Sequence, residues 1–90
     1  MVIVVYDIPD NKRRTKLAHF LEGYGSRVQW SVFELFITVD EMRVLHQKVK
    51  KLVVPTEDNV RFYWISDELR TFVLTIGSLQ PEPPPHFYRG

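Results

Sequence analysis

Asp7 closes the apolar run Val2-Ile3-Val4-Val5-Tyr6 and is followed, beyond Pro9 and Asp10, by the basic cluster Lys12, Arg13, Arg14 and Lys16. A carboxylate beside several cations can act on a phosphodiester: the acid holds a hydrated magnesium ion while the cations steady the phosphate charge. One carboxylate alone is a poor magnesium site, because the ion takes six oxygens and commonly one or two carboxylates, water and phosphate oxygens filling the rest. Two copies of the chain that brought their Asp7 side chains together at a twofold axis would make a better one. A plainer reading stands beside this, in which Asp7 accepts hydrogen bonds from the turn through Pro9 and Asp10 and the cations are simply solvated. Composition alone favours it for Asp7 and leaves the cations evenly balanced. What composition argues against is zinc or nucleotide chemistry: His19, His46 and His86 are scattered, and there is neither a cysteine nor a glycine-rich phosphate loop. Nothing resembles the strained turn that carries a serine nucleophile.

These residues need a frame. The run Val2 to Asp7 puts hydrocarbon on both faces, the pattern of a central strand covered on each side. Asp10 or Asn11 can cap a helix whose apolar residues Leu17, Phe20, Leu21 and Tyr24 share one side, with Arg14 on its margin and Lys12, Lys16 and His19 opposite. Cations in its first turn oppose the helix dipole, a local cost that an anionic ligand would relieve. The helix ends at Gly23 or Gly25, both suited to the left-handed cap position. Arg27 to Ile37 is rich in β-branched and aromatic residues, and a turn near Ser31 divides it into strands Arg27 to Trp30 and Val32 to Val39. Thr38 with Glu41 forms a capping box, Asp40 competing as cap, for a second helix with Met42, Leu45, Val49 and Leu52 inside; Pro55 prevents its continuation. Val60 to Ile65 alternates as a further strand.

The order strand, helix, strand, strand, helix, strand is an α+β, ferredoxin-like βαββαβ arrangement, a four-stranded antiparallel sheet with both helices on one face. Thr71 to Ile76 is left over as an extra C-terminal strand, after which Pro81, Pro83, Pro84 and Pro85 mark a tail. We therefore expect a ferredoxin-like domain over residues 1–78 and a proline-rich tail over 79–90. The helices leave one sheet face bare although the first strand is apolar on both, so a second copy is expected to cover it, with the extra strand pairing onto the partner's sheet edge. A 90-residue chain forms one domain and buries only about 60 to 65 per cent of its unfolded surface, so association would help it. The absence of cysteine fits a cytoplasmic compartment; no membrane segment or signal peptide is expected, and a net charge of +1 says nothing for or against nucleic acid.

Tyr6-Asp7-Ile8, the helix with Arg14, Gly25 and Arg27-Val28-Gln29-Trp30-Ser31-Val32-Phe33-Glu34 closely resemble the second CRISPR-associated core protein family, the small partner of the CRISPR integrase, with the likeness running through residue 65. The resemblance implies a ferredoxin-like homodimer in spacer acquisition that bridges the integrase and binds nucleic acid. It also implies a magnesium-dependent endonuclease acting on single-stranded RNA or double-stranded DNA. Carried onto this chain, it makes Asp7 the catalytic and metal-binding residue, with Tyr6 its neighbour. Arg14, Lys16 and Arg27 match basic positions, joined by Arg13 as a nucleic-acid contact, and Ser31 and Phe33 match supporting ones. Lys16 departs from the arginine often found there and loses bidentate phosphate contact. Trp30 is bulkier than the pattern leads one to expect, and is expected at an interface. A non-catalytic module stacking RNA bases on Phe33, Phe36, Phe62, Tyr63 and Trp64 shares the topology, but the basic-residue-and-glycine motif of such modules is absent. A regulatory dimer binding a small metabolite would need a glycine-bearing turn that is not evident.

Overall fold

The computed structural model describes residues 1–70 and 72–77. Strand β1 (Val2–Asp7) lies between β3 (Val32–Leu35) and β4 (Asn59–Trp64), and β2 (Gly25–Gln29) flanks β3, giving the order β2-β3-β1-β4 with every neighbour antiparallel. Helices α1 (Asn11–Glu22) and α2 (Val39–Lys50) connect the strands, and a single turn, α3 (Asp67–Arg70), follows β4. The expected ferredoxin-like architecture is present.

Side chains along β1 alternate in burial: Val2, Val4 and Tyr6 are buried, Ile3 and Val5 half-buried, Asp7 exposed. Val4 stands opposite Phe33 on one side and Phe62 on the other, and Val2 opposite Leu35, so these rings and aliphatic chains form the floor of the core. Leu17, Ala18 and Leu21 of α1 and Leu45 and Val49 of α2 close over it. The remaining face carries Ile3, Val5 and Val32 among Asp7, Glu34, Arg61 and Tyr63, a set that the period of two places opposite the helices.

Both helix starts follow from local chemistry. Asp10 caps α1 by accepting the Arg13 N–H at 2.9 Å. Thr38 accepts the Glu41 N–H at 3.1 Å while Glu41 accepts the Thr38 N–H at 2.9 Å, completing the capping box. The first helix ends at Gly23 but without the left-handed cap: Gly23 is right-handed at φ −73°, its N–H donating to the Phe20 carbonyl at 3.3 Å and the Tyr24 N–H to the Leu21 carbonyl at 2.9 Å. The need for glycine lies at Gly25, where a Cβ would overlap the Glu34 carbonyl and the Leu35 backbone. That close approach starts β2 at Gly25 rather than at Arg27. Arg27 pairs with Phe33 but Gln29 with Val32, so Val28 is the extra residue of a bulge. Strand β3 stops at Leu35 because Ile37 drops into the core and Val39 opens α2.

The extra C-terminal strand is not formed in the single chain. Residues 72–77 pair with no strand, and the chain before them is wound into α3. Phe72, Leu74 and Ile76 are 75, 91 and 103 per cent exposed, while Val73 and Thr75 between them are partly covered. A period of two with bare apolar side chains is strand patterning without the edge it would need. Thr71 and the expected tail over 79–90 lie outside the described residues.

Candidate nucleic-acid and metal site

Asp7 ends β1 opposite Asn59, exposed, on the face that the helices do not cover. Its carboxylate has no hydrogen-bond or salt-bridge partner among the described residues. The next acid, Asp10, is occupied as the α1 cap. Among the described residues no three His, Cys, Asp or Glu side chains gather as metal ligands. At the end of β1 each chain therefore offers one carboxylate without a partner among the described residues, and a hydrated magnesium ion accepts one or two.

The structure divides the expected basic cluster by task. Arg13 donates from Nε to Asp58 Oδ2 at 2.8 Å, and from Nη2 to Asp58 Oδ1 at 3.0 Å and Glu57 Oε1 at 3.1 Å. The Asp58 side chain has no exposed surface and also accepts the Val54 N–H at 2.8 Å. The Arg13 hydrogen bond holds the Asp58 carboxyl below its ordinary range, against the upward push of desolvation and with help from the Val54 N–H. Arg13 thus ties the start of α1 to the loop before β4, so its expected place among nucleic-acid contacts is taken by an internal bidentate ion pair. Sequence offered little signal for this, because the partners stand 45 residues apart; only the acidic pair Glu57-Asp58 hinted at a need for a cation.

Arg14 turns back on the loop after Asp7, donating from Nη1 to the Ile8 carbonyl at 2.9 Å and from Nη2 to the Asn11 side chain. It braces the segment that carries the acid. Lys12 and Lys16 remain exposed on α1. Arg27 is exposed as well, its guanidinium 5.6 Å from the Trp30 ring centre and 5.5 Å from that of Phe33.

The supporting residues hold the β2–β3 turn against β1. The Tyr6 N–H donates to the Ser31 carbonyl at 3.1 Å and the Tyr6 hydroxyl to the Trp30 carbonyl at 3.3 Å, while the Tyr6 ring stacks on Phe33 with centres 6.3 Å apart. Ser31 contributes its backbone here. Trp30, expected at an interface, is 73 per cent exposed in the single chain. It borders a cleft of about 250 Å³ lined by Tyr6, Arg14, Ala18, His19, Arg27 and Trp30, with Glu22 drawn toward His19 at 3.9 Å. On the uncovered face burial pushes the Glu34 carboxyl above its usual range. Phe33 is fully buried and Phe62 packs under α2, so neither ring is available as a stacking platform of the RNA-recognition type.

An antiparallel sheet in this order, backed by two helices and ending its central strand on an acid flanked by cations, defines a ferredoxin-like protein with a candidate phosphodiester site. The sequence pattern of the family described as CRISPR associated protein Cas2 matches residues 1–71. A Synechocystis protein named CRISPR-associated endoribonuclease Cas2 3 is 42 per cent identical over 84 residues, covering 93 per cent of this chain and 87 per cent of its own. A Thermus thermophilus CRISPR-associated endonuclease Cas2 2 is 40 per cent identical over 76 residues, covering 84 and 82 per cent. Among solved structures, Streptococcus pyogenes Cas2 superposes with a TM-score of 0.73 at 31 per cent identity, covering 84 per cent of this chain and 98 per cent of that one. A chain of a partial Cas6-RT-Cas1–Cas2 complex does so with a TM-score of 0.73 at 33 per cent identity, covering 93 and 92 per cent. The chain belongs to the CRISPR-associated Cas2 family.

Proposed function

We propose that this protein is a homodimeric endonuclease subunit of CRISPR spacer acquisition in the cytoplasm, binding nucleic acid, partnering the integrase and cutting phosphodiesters with magnesium held at Asp7. The observation that carries the proposal is Asp7 itself: an exposed, uncommitted carboxylate at the end of the central strand, on the face whose Ile3, Val5 and Val32 lack a cover. A second copy laid on that face would bury the apolar row and bring a second Asp7 to the rim of the contact. The relatives named endoribonuclease and endonuclease support the activity, and the neighbour in a Cas1–Cas2 complex supports the integrase as partner.

A magnesium ion held between two Asp7 carboxylates would polarise a phosphodiester and lower the pKa of a bound water. The protein's own groups do the rest. Arg14 fixes the loop from Ile8 to Asn11, so Asp7 enters the site from a braced backbone. Lys16 and Arg27 are exposed and free to meet phosphate oxygens, which orients the bound strand and offsets its charge. Tyr6, fixed by its ring and both hydrogen bonds, holds the β2–β3 turn in place beside them.

The test is Asp7→Ala in the purified dimer, assayed on labelled RNA and duplex DNA with magnesium and with EDTA. Cleavage is expected to fall to the metal-free background while elution volume stays the same and stability shifts by no more than about 0.5 kcal/mol, as for an exposed residue. Cleavage that survives the substitution refutes the catalytic assignment. A second reading, a purely architectural subunit, draws on the absence of a metal-ligand cluster among the described residues; it predicts spacer integration undiminished by Asp7→Ala.

A further inference from the structure

We propose that Trp30 and the cleft beside it form a stacking site for one unpaired nucleobase, so that a strand seated there is held single-stranded. The proposal rests on the reading of the site as one that takes nucleic acid, and it names the form of nucleic acid. Three observations carry it. Trp30 is 73 per cent exposed although it stands on a turn fixed by two hydrogen bonds from Tyr6, whose chain neighbour is Asp7. An exposed side chain is ordinary; an exposed indole on an anchored turn at the rim of a charged cleft is a platform. Next, Arg27 lies over the indole and over Phe33, 5.6 and 5.5 Å from the ring centres, so a cation already stands at the stacking surface and a base takes the indole face that Arg27 does not. Finally, the cleft holds about 250 Å³ and is lined on its other side by Arg14, Ala18 and His19. That is smaller than pockets for drug-sized ligands, which begin at about 300 Å³, and it suits a single base.

The physical demand on the ligand follows from the indole. Stacking needs an open π face, and bases inside a duplex have both faces covered by their neighbours. A strand seated here must present a base that is unstacked on one side. Its phosphate then falls to Arg27. Every base has a π face, so the site is indifferent to sequence while sensitive to strandedness.

The experiment uses the dimer in EDTA, where no cleavage occurs, with three fluorescein-labelled ligands: a uridine oligomer, an abasic ribose-phosphate oligomer of equal length, and a blunt duplex. Trp30→Ala is expected to weaken the uridine oligomer about 5- to 150-fold, to leave the other two ligands unaffected, and to be largely rescued by Trp30→Phe but not by Trp30→Leu. In a Trp64→Phe background the uridine oligomer quenches the remaining indole fluorescence; Trp64 pairs with Val2 at the opposite end of β1 and would only dilute the signal. Equal weakening of the abasic strand or of the duplex overturns the proposal, as does a Trp30→Ala chain that loses its dimer, since the indole is then packing between copies. Salt-dependent binding that ignores Trp30 sinks the stacking site alone. Failure of the wild type to bind any of the three sinks the nucleic-acid reading beneath it.

Discussion

Arg13 and Arg27 look equivalent in the sequence, and their environments predict opposite behaviour on substitution. Arg27 faces solvent with no carboxylate on it; Arg13 is gripped by Asp58 and Glu57. Each phosphate contact steepens the fall of log affinity with log salt by about 0.9 on a duplex and about 0.7 on a single strand. A dimer loses two such contacts with one substitution, so Arg27→Ala should flatten the slope by about 1.4 to 1.8. Across a fourfold rise in salt the wild type then loses about 7 to 12 times more affinity than the variant. Lys16→Ala should do the same, whereas Arg13→Ala should leave the slope unchanged and lower the thermal midpoint. Fluorescence anisotropy of a labelled oligomer in EDTA at several potassium chloride concentrations measures the slopes, and a thermal melt of each variant measures the other arm. If Arg13→Ala flattens the slope as much as Arg27→Ala does, the guanidinium leaves Asp58 to bind the ligand and the division of labour is wrong.

Three further outcomes follow from the same coordinates. Arg13 depresses the Asp58 pKa, so the stability drawn from that pair is fully present above the unfolded carboxylate value of about 3.9 and is lost as pH falls through the lower, folded value. The melting gap between wild type and Arg13→Ala should therefore stay constant from neutrality to about pH 5 and close below it, as read by melts in matched-ionic-strength buffers. Glu34 behaves in the opposite sense: burial raises its pKa, so ionisation is a cost at neutral pH, and Glu34→Gln should raise the midpoint at pH 7 with an effect that fades in acid. Phe33→Ala removes a ring with no exposed surface between Tyr6 and Arg27; it should cost about 3 to 5 kcal/mol and lower the midpoint by about 12 °C or more, seen by calorimetry.

Much of this fold is written locally. The β-branched run from Val2 to Val5, the Asp10 cap and the Thr38 and Glu41 pair each specify an element within a few residues, and each appears where its own chemistry puts it. Features that depend on distant partners were hidden. The Arg13 side chain is claimed by an acid from across the fold, and Gly25 is required because a strand lies against it, a fact that no neighbour in sequence reveals. The segment from Phe72 to Ile76 shows the limit most clearly: its alternation is legible, but a strand is a relation between two chains or two stretches, and this stretch has no edge in one copy. For the site, Asp7 could be picked out by type and position, whereas Arg27 and Tyr6 came only from the family resemblance. The tasks of Arg14 as a brace and of Trp30 as an anchored, open ring needed coordinates.

The bulge at Val28 has a bearing on how large an assembly this sheet can build. It breaks the regular ladder along β2 on one flank, and the squeezed contact at Gly25 leaves that flank little freedom to flatten. The opposite flank, β4, runs through six residues of unbroken pairing with β1 and has no neighbouring strand on its other side among the described residues. A chain with one receptive side and one spoiled side would saturate on meeting a mate, so in the proposed dimer growth would halt at a pair instead of running on into a fibre.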